Sequence, residues 1–547
     1  MRGTGDLKFI ELLVFLLVLL LLFLLAVSGC VETPDSSNES ASVNESATYW
    51  PTEGWRTSTP EQQGIDSEKL VEVMDYIQEK DIKIHSLLII RNGYVVTDAY
   101  FYPFTNNSVH DVASVTKSFT GTLIGITISE GYIKGVEQPV LEFFPNRTVA
   151  NVDANKKAVT LEDLLTMRSG FEYVDKPYEV TTMQMQESSD WIQFTLDLPM
   201  VEEPGTHFVY CNSNSHLLSG IINETTGMNE LDYANKTLFK PLGIYDIIWP
   251  SDPQGNNHGW GDLHLTPHDM AKLGYLYLNN GKWDGKQIVP AEWVAKSTQK
   301  QVSLDEGKGY GYQWWILGSY PGVYEANGRG GQRIIVVPEA NTIIVTTGGG
   351  VVIDDIAPLL VAALRSDQPL PENPNAYGRL QEKIDAAAES PDLEPEPVQP
   401  LPEIAKKIED KTYALDSNPL NLQSLALTFD EEKGEALLRL SPGLPENQTL
   451  ECLLGLDNVS RISPGRFGLP AAGKGSWESD NVFVAYIDEV GNINHWKISM
   501  TFQDDRVTIQ MQDTAADLIG NAEFGGRLES SSSEQDSIEL LNSTINR

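Results

Sequence analysis

Apolar and polar positions change period along the chain, and each change marks an element. Residues 86–101, SLLIIRNGYVVTDAYF, are two runs rich in β-branched and aromatic residues around Asn92-Gly93, which predicts a hairpin. Residues 110–131, HDVASVTKSFTGTLIGITISEG, place Val115, Phe119, Leu123, Ile124 and Ile126 at helical spacing. Small residues fill the gaps, so this helix is expected to be buried nearly all round. VTLEDLLTMRSGF (159–171) starts a helix with Thr160 as N-cap and Asp163 three residues on, and Gly170 is its expected stop. LTPHDMAKLGYLYLNNG (265–281) repeats the device with Thr266 as cap, Pro267 at the first helical position and Asp269 in the first turn. GQRIIVVPEANTIIVTTGGG (331–350) reads as two strands and a turn. Strands at both ends with helices between them predict an α+β domain over residues 55–367, its sheet closed by the two ends.

Past that domain the pattern changes. Pro391, Pro395, Pro397, Pro400 and Pro402 mark residues 368–405 as a stiff, Pro-rich linker. ALLRLS, NVFVAYID, NHWKISMTF and RVTIQMQD then alternate with period two, with Gly491-Asn492 as a turn. Residues 406–528 are therefore expected to form a small all-β domain with Trp477, Phe483 and Trp496 in its core. Residues 529–547 read as a disordered tail, and residues 30–54 as a polar tether without apolar periodicity.

Residues 1–29 are a signal peptide or a membrane anchor. Arg2 and Lys8 precede an uncharged run from Leu12 to Val27, sixteen residues long, which is short for a spanning helix. It ends in A-V-S-G-C, which resembles the lipobox of exported lipoproteins and makes Cys30 the expected lipidated N-terminus. Asp6 and Glu11 beside the run keep an uncleaved anchor as the alternative. Either way the expected location is extracytoplasmic, tied to the cell membrane.

A formal net charge of -38 argues against a nucleic-acid partner. Cys211 and Cys452 fall in different expected domains and read as free thiols, so no disulfide framework is expected. Sequons at Asn38, Asn44, Asn146, Asn223 and Asn447 fit an exported surface. His264 and His268 are four apart, but Thr266-Pro267 starts a helix between them, and no H-E-x-x-H occurs. No metal and no cofactor are expected.

Candidate chemistry centres on Ser114 and Lys117. Three residues apart at a helix start, they share a face, and a buried ammonium needs a partner or a task. The spacing alone decides little, since Ser297 and Lys300 share it at an ordinary helix end. Tyr-x-Asn occurs three times, at Tyr210, Tyr233 and Tyr277, but only Tyr210 follows a Pro-Gly-Thr loop that can carry a hydroxyl to a cleft. Lys117 can hold the Ser114 hydroxyl, and Tyr210 can move a proton as general acid–base. ANGRGGQ (326–332) enters a strand with glycines that permit close backbone approach, so a strand N–H beside that of Ser114 can form an oxyanion hole.

These segments together resemble the penicillin-binding, serine β-lactamase-related hydrolases, in the branch similar to class C β-lactamases that includes esterases, D-aminopeptidases and 6-aminohexanoate-oligomer hydrolases. The resemblance runs from about residue 57 to 365. It rests on S-V-T-K at 114–117, T-L-E-D-L-L-T-M-R-S-G at 160–170, P-G-T-H-F-V-Y-C-N at 204–212, D-L-H-L-T-P-H-D-M-A-K-L-G at 262–274 and G-R-G-G-Q at 328–332, in family order. It implies a three-layer β-lactamase/transpeptidase-like domain with an antiparallel sheet and a helical subdomain. It also implies Ser114 as nucleophile, Lys117 as its activator and Tyr210 as proton shuttle. Asn212, Arg329, Gly330, Gly331 and Gln332 would then bind substrate, with the N–H groups of Ser114 and Gln332 as oxyanion donors. One motif departs from the family pattern: where K or H, then T or S, then G is usual, this chain has Arg329-Gly330-Gly331. The missing hydroxyl turns the expectation towards a small ester or amide substrate. A D-amino-acid peptidase or β-lactamase is the first alternative, and a catalytically idle envelope or ligand-binding protein on the same fold the second. The β domain is similar to accessory domains appended to such hydrolases, with its partner undefined by the sequence.

Overall fold

Along strand β2 (Ile84–Arg91) every residue is buried, yet successive side chains enter two different cores. Leu88 and Ile90 face one, Leu87 and Ile89 the other, as the two-residue period of a strand covered on both faces requires. The computed structural model describes residues 49–174, 179–351, 353–390, 394–442, 449–515 and 521–529. The expected signal or anchor, Cys30, most of the tether, Asn38, Asn44, Asn447 and the tail from residue 530 lie outside the described residues. Among the described residues no helix is long and apolar enough to cross a membrane.

The turn between β2 and β3 (Tyr94–Tyr100) is built by Asn92 (φ 53°) and Gly93 (φ 75°), the left-handed pair that a two-residue hairpin needs. β1 (Arg56–Thr57) adds to β3 in parallel. The other strands come from the far end of the domain: β4 (Val302–Ser303), β5 (Gly309–Tyr310), β6 (Trp315–Ile316), β7 (Tyr324–Gly328), β8 (Gln332–Val337) and β9 (Thr342–Gly348). The order is β1-β3-β2-β9-β8-β7-β6-β5-β4. β2 and β9 pair antiparallel, with Ile90 opposite Ile343 and Leu88 opposite Val345. The two ends of the domain do close one sheet.

Helix α1 (Ser67–Glu79) lays Leu70, Val73, Met74 and Ile77 on one face of that sheet. The other face is covered by α2 (Thr116–Ser129), α3 (Leu161–Leu165), α4 (Asn212–Thr226) and α5 (Pro267–Leu278). α6 (Ile353–Ala363) and α7 (Pro374–Ala388) join α1, which completes three layers. α2 is buried from Thr116 to Thr127, as its pattern predicted. α3 carries the expected capping box, Thr160 with Asp163, but ends at Leu165 rather than near Gly170. There Met167 takes a left-handed φ of 59° and the chain leaves the helix.

Two boundaries move. Trp50, placed in the tether by its polar neighbours, packs its ring 5.7 Å from Tyr275 and 5.5 Å from Trp283, so folded chain begins by Tyr49. The stretch 368–405 holds α7, whose Leu380 is buried with α1, and a short helix at Glu403–Ile408. Residues 368–373, 389–390 and 394–402 there are described without helix or strand.

The β domain forms a ten-stranded sheet. Nine of its strands close a barrel: Leu450–Gly455 and Pro470–Ser479 meet in parallel at Gly455 and Lys474 and seal the ring. Burial alternates strictly along Arg506–Asp513, putting Val507, Ile509 and Met511 inside with Phe483. Trp477 and Trp496 pack against that core. Asp513, the last residue of the alternation, is also buried, and an acid there requires partners.

Candidate active site

Two residues before Ser114, backbone and side chains converge on a tight turn. Ala113 adopts φ 47°, a left-handed conformation that costs a residue with a Cβ about 1–3 kcal/mol. Asp111 compensates locally, since its Oδ1 accepts the Ala113 N–H at 2.7 Å. Val112 donates its N–H to Leu263 O at 2.8 Å, and residues 110–111 pair with 264–265 as a two-strand ladder. This turn delivers Ser114, half-buried, in a single 3-10 turn (Ala113–Val115) that runs into the N-terminus of α2. The N-terminus of a helix favours negative charge developing nearby.

Lys117 follows on the same face and is 1% exposed. Its Nζ donates to Ser114 Oγ at 2.9 Å and to Trp260 O at 2.8 Å, which resolves what a buried ammonium is doing there. It also lies 4.8 Å from the centre of the Tyr210 ring. Tyr210 arrives from the loop before α4, stacked on Trp315 at 5.6 Å and edge-on to Tyr310. Ser114, Lys117 and Tyr210, 96 residues apart at the extremes, are thus brought together.

Trp260 was not legible as a site residue because its contribution is a backbone carbonyl. The histidines give it support. Trp260 stacks on His258 with ring centres 4.7 Å apart and meets His216 edge-on at 5.1 Å. His216 Nε2 is 3.0 Å from Asp252 Oδ2 and His258 Nδ1 is 2.7 Å from Asp262 Oδ2, which fixes both rings. Burial lowers the His216 pKa against the opposing hydrogen bond that the ring donates to Asp252. His264 and His268 have separate partners, Asn492 and Asp98. Among the described residues no group of three or more His, Cys, Asp or Glu can hold a metal ion.

Gln313 is a second residue that sequence reasoning missed. Fully buried, it donates from Nε2 to Leu165 O at 2.9 Å, accepts from Ser215 Oγ at 2.8 Å, and its own carbonyl accepts from Ser118 Oγ at 2.6 Å. One side chain and its backbone therefore lock α2, α3 and α4 around the cleft. Cys211, next to Tyr210, is held as a thiol: burial pushes its pKa up to about 12.

The five expected substrate-binding residues divide. Gly328, which opens their turn, lies so close to the nucleophile turn that a Cβ on it would sit 2.5 Å from Val112 O. Gln332 begins β8, and its side chain ties the turn to β9, donating to Gly348 O at 2.6 Å and accepting from Gly348 N at 3.1 Å. That leaves its backbone, not its amide, for the site. Gly330 (φ 80°) and Gly331 (φ 98°) take conformations that side chains rarely adopt. Asn212 spends its amide nitrogen on Glu179 Oε2 at 2.9 Å and Thr182 Oγ1 at 3.2 Å, while its buried Oδ1 has no hydrogen-bond partner among the described residues. Arg329, expected as a substrate contact, faces an acid of the barrel. Its Nη1 lies 3.6 Å from Asp513 of the barrel, an ion pair too long to be a hydrogen bond. The physical reason is the buried carboxylate, which is wholly unexposed and attracts the nearest guanidinium.

The family model described as Beta-lactamase matches residues 73–350. The 6-aminohexanoate-dimer hydrolase of Paenarthrobacter ureafaciens is 26% identical over 279 residues, 47% of this chain and 70% of that protein. A beta-lactamase of Escherichia coli (strain K12) is 24% identical over 217 residues, 38% of this chain and 55% of that protein. The octameric penicillin-binding protein homologue from Pyrococcus abyssi aligns with 84% of this chain and 100% of its own, at 18% identity and a TM-score of 0.43.

Proposed function

Starting from a chain that belongs to the beta-lactamase family, we propose a serine hydrolase that cleaves a small ester or amide through an acyl-enzyme on Ser114. The observation that carries the proposal is the Lys117 ammonium, 2.9 Å from Ser114 Oγ and against the ring of Tyr210. Relatives of this family are serine hydrolases, and the one from Paenarthrobacter ureafaciens is named for an amide.

In the proposed reaction Tyr210 acts as a phenolate beside the Lys117 ammonium: Ser114 Oγ adds to the substrate carbonyl carbon while its proton passes to that phenolate oxygen, and the Lys117 charge steadies the forming alkoxide. The carbonyl electrons move onto oxygen, facing the N–H groups of Ser114 and Gln332. Collapse of that intermediate expels the alcohol or amine, which takes the proton back from Tyr210. Water then repeats the sequence on the acyl-enzyme and releases the acid. Water exclusion and fixed donors make such a site worth far more than the same groups in solution.

Ser114→Ala should abolish labelling by a fluorophosphonate probe and hydrolysis of short nitrophenyl esters. Tyr210→Phe should keep labelling measurable and lower kcat by roughly 10²–10⁴. Full activity in Ser114→Ala would end the acyl-enzyme reading, and a wild type that neither labels nor turns over any ester would favour an idle binding protein. Export and lipidation at Cys30 belong to the same proposal, supported by the Leu12–Val27 run and the V-S-G-C that ends it. Mass spectrometry of the cell-derived protein should find a diacylated Cys30 peptide, whereas an intact Met1 peptide from membranes would mean an uncleaved anchor.

A further inference from the structure

The barrel touches the catalytic domain at the nucleophile turn and the glycine turn beside it. Its loop between the strands Val482–Glu489 and His495–Gln503 brings Gly491 O to within 2.7 Å of the Asp111 N–H. Asn492 Oδ1 is 3.1 Å from His264 Nε2. Ile493, with no exposed surface, stands over Gly330: a Cβ added at 330 would lie 2.5 Å from its Cγ2. The position that carries a hydroxyl in the usual family motif is therefore closed by a methyl group of another domain. A few ångströms away Asp513 faces Arg329, and three donors aim at the Asp513 carboxylate: Asn494 Nδ2 at 2.9 Å, His495 N at 3.3 Å and Ala515 N at 3.0 Å.

A carboxylate on the substrate needs a cation without a competing anion and a donor beside it. Here the cation already faces an anion that the barrel holds with three hydrogen bonds, and the Ile493 methyl group fills the space over Gly330. An anionic substrate would meet Asp513 as a like charge and lose its water against Ile493, each of which is costly. We propose that Asp513 and Ile493 of the barrel are specificity-determining residues, which close the subsite at Arg329-Gly330 to carboxylate-bearing substrates and leave the cleft to uncharged esters and amides. This rests on the hydrolase reading given above and assigns the barrel a part in selecting its substrate.

The test is a ratio within one preparation, so loss of folded enzyme cancels. Hydrolysis of 3-acetoxybenzoate is compared with that of phenyl acetate by kcat/KM, with active sites counted by fluorophosphonate labelling of Ser114. In Asp513→Asn the carboxylate-to-neutral ratio should rise by at least about tenfold over wild type, since a like charge is removed. Ile493→Ala, which opens the space at Gly330, should raise the same ratio and keeps the test alive should Asp513→Asn not fold. A ratio unchanged in the labelled, active variants overturns the inference while leaving the hydrolase reading intact. A wild type in which Ser114 does not label overturns that reading, and this inference with it.

Discussion

Ser114 and Lys117 are effective because one residue is buried for the sake of another. An ammonium 1% exposed is tolerable only with its donors engaged, and the Trp260 carbonyl and Ser114 hydroxyl supply acceptors. Glu230 shows the opposite bargain behind the same helices. It has no exposed surface, and burial, opposed by the hydroxyls of Thr120 and Ser219, pushes its pKa up to about 8. Between pH 4.5 and 8 the folded protein holds this proton while the unfolded chain releases it, so stability falls as pH rises through that window. Glu230→Gln removes the penalty. Its melting temperature should exceed that of wild type above about pH 8, by on the order of a few kcal/mol in stability, and the two should converge below pH 4.5. Parallel pH dependences for the two proteins would show that Glu230 is not the titrating group.

At the scale of elements, the short turn before α2 decides whether the helix presents its serine correctly. Ala113 at φ 47° is held by the Asp111 side chain, the Val112–Leu263 hydrogen bond and the glycine turn at 328. Asp111→Ala should release the Ala113 N–H, costing about 1–3 kcal/mol of stability and lowering kcat more than it changes KM. Chemical denaturation and ester kinetics on the same variant check both parts. A variant with normal kcat would mean that the remaining contacts hold the turn unaided. Gln313 acts on the same scale, one residue with a left-handed φ of 62° joining three helices.

For the whole molecule, the barrel and the catalytic domain form an interface at the active site rather than two beads on a string. Hydrogen bonds run from Asp111 to Gly491 and between His264 and Asn492, His264 packs edge-on to Phe467 at 5.2 Å, and Arg329 pairs with Asp513. Limited proteolysis within residues 394–402 should therefore give two fragments that still elute together on gel filtration. Separate elution of a folded barrel would mean that its contacts are too weak to hold it without the connecting chain.

The sequence by itself determined the parts whose cause is local. Runs rich in β-branched residues over 86–101 and 331–350 specified strands, Thr160 with Asp163 and Thr266 with Pro267 specified helix starts, and an i, i+3 spacing put Lys117 beside Ser114. The Pro-Gly-Thr loop before Tyr210 set it apart from Tyr233, which is buried in the core. What tertiary structure decided has causes far apart in the chain. Arg329 reads in sequence as a cation at a cleft, and only the fold sets a buried acid 184 residues later against it. Trp260 contributes a carbonyl, and backbone groups leave no side-chain signature. The missing hydroxyl at Gly330 was legible as an absence, but Ile493 in that space was not. A side chain's period predicts which face it occupies, and long-range packing alone decides what it meets there.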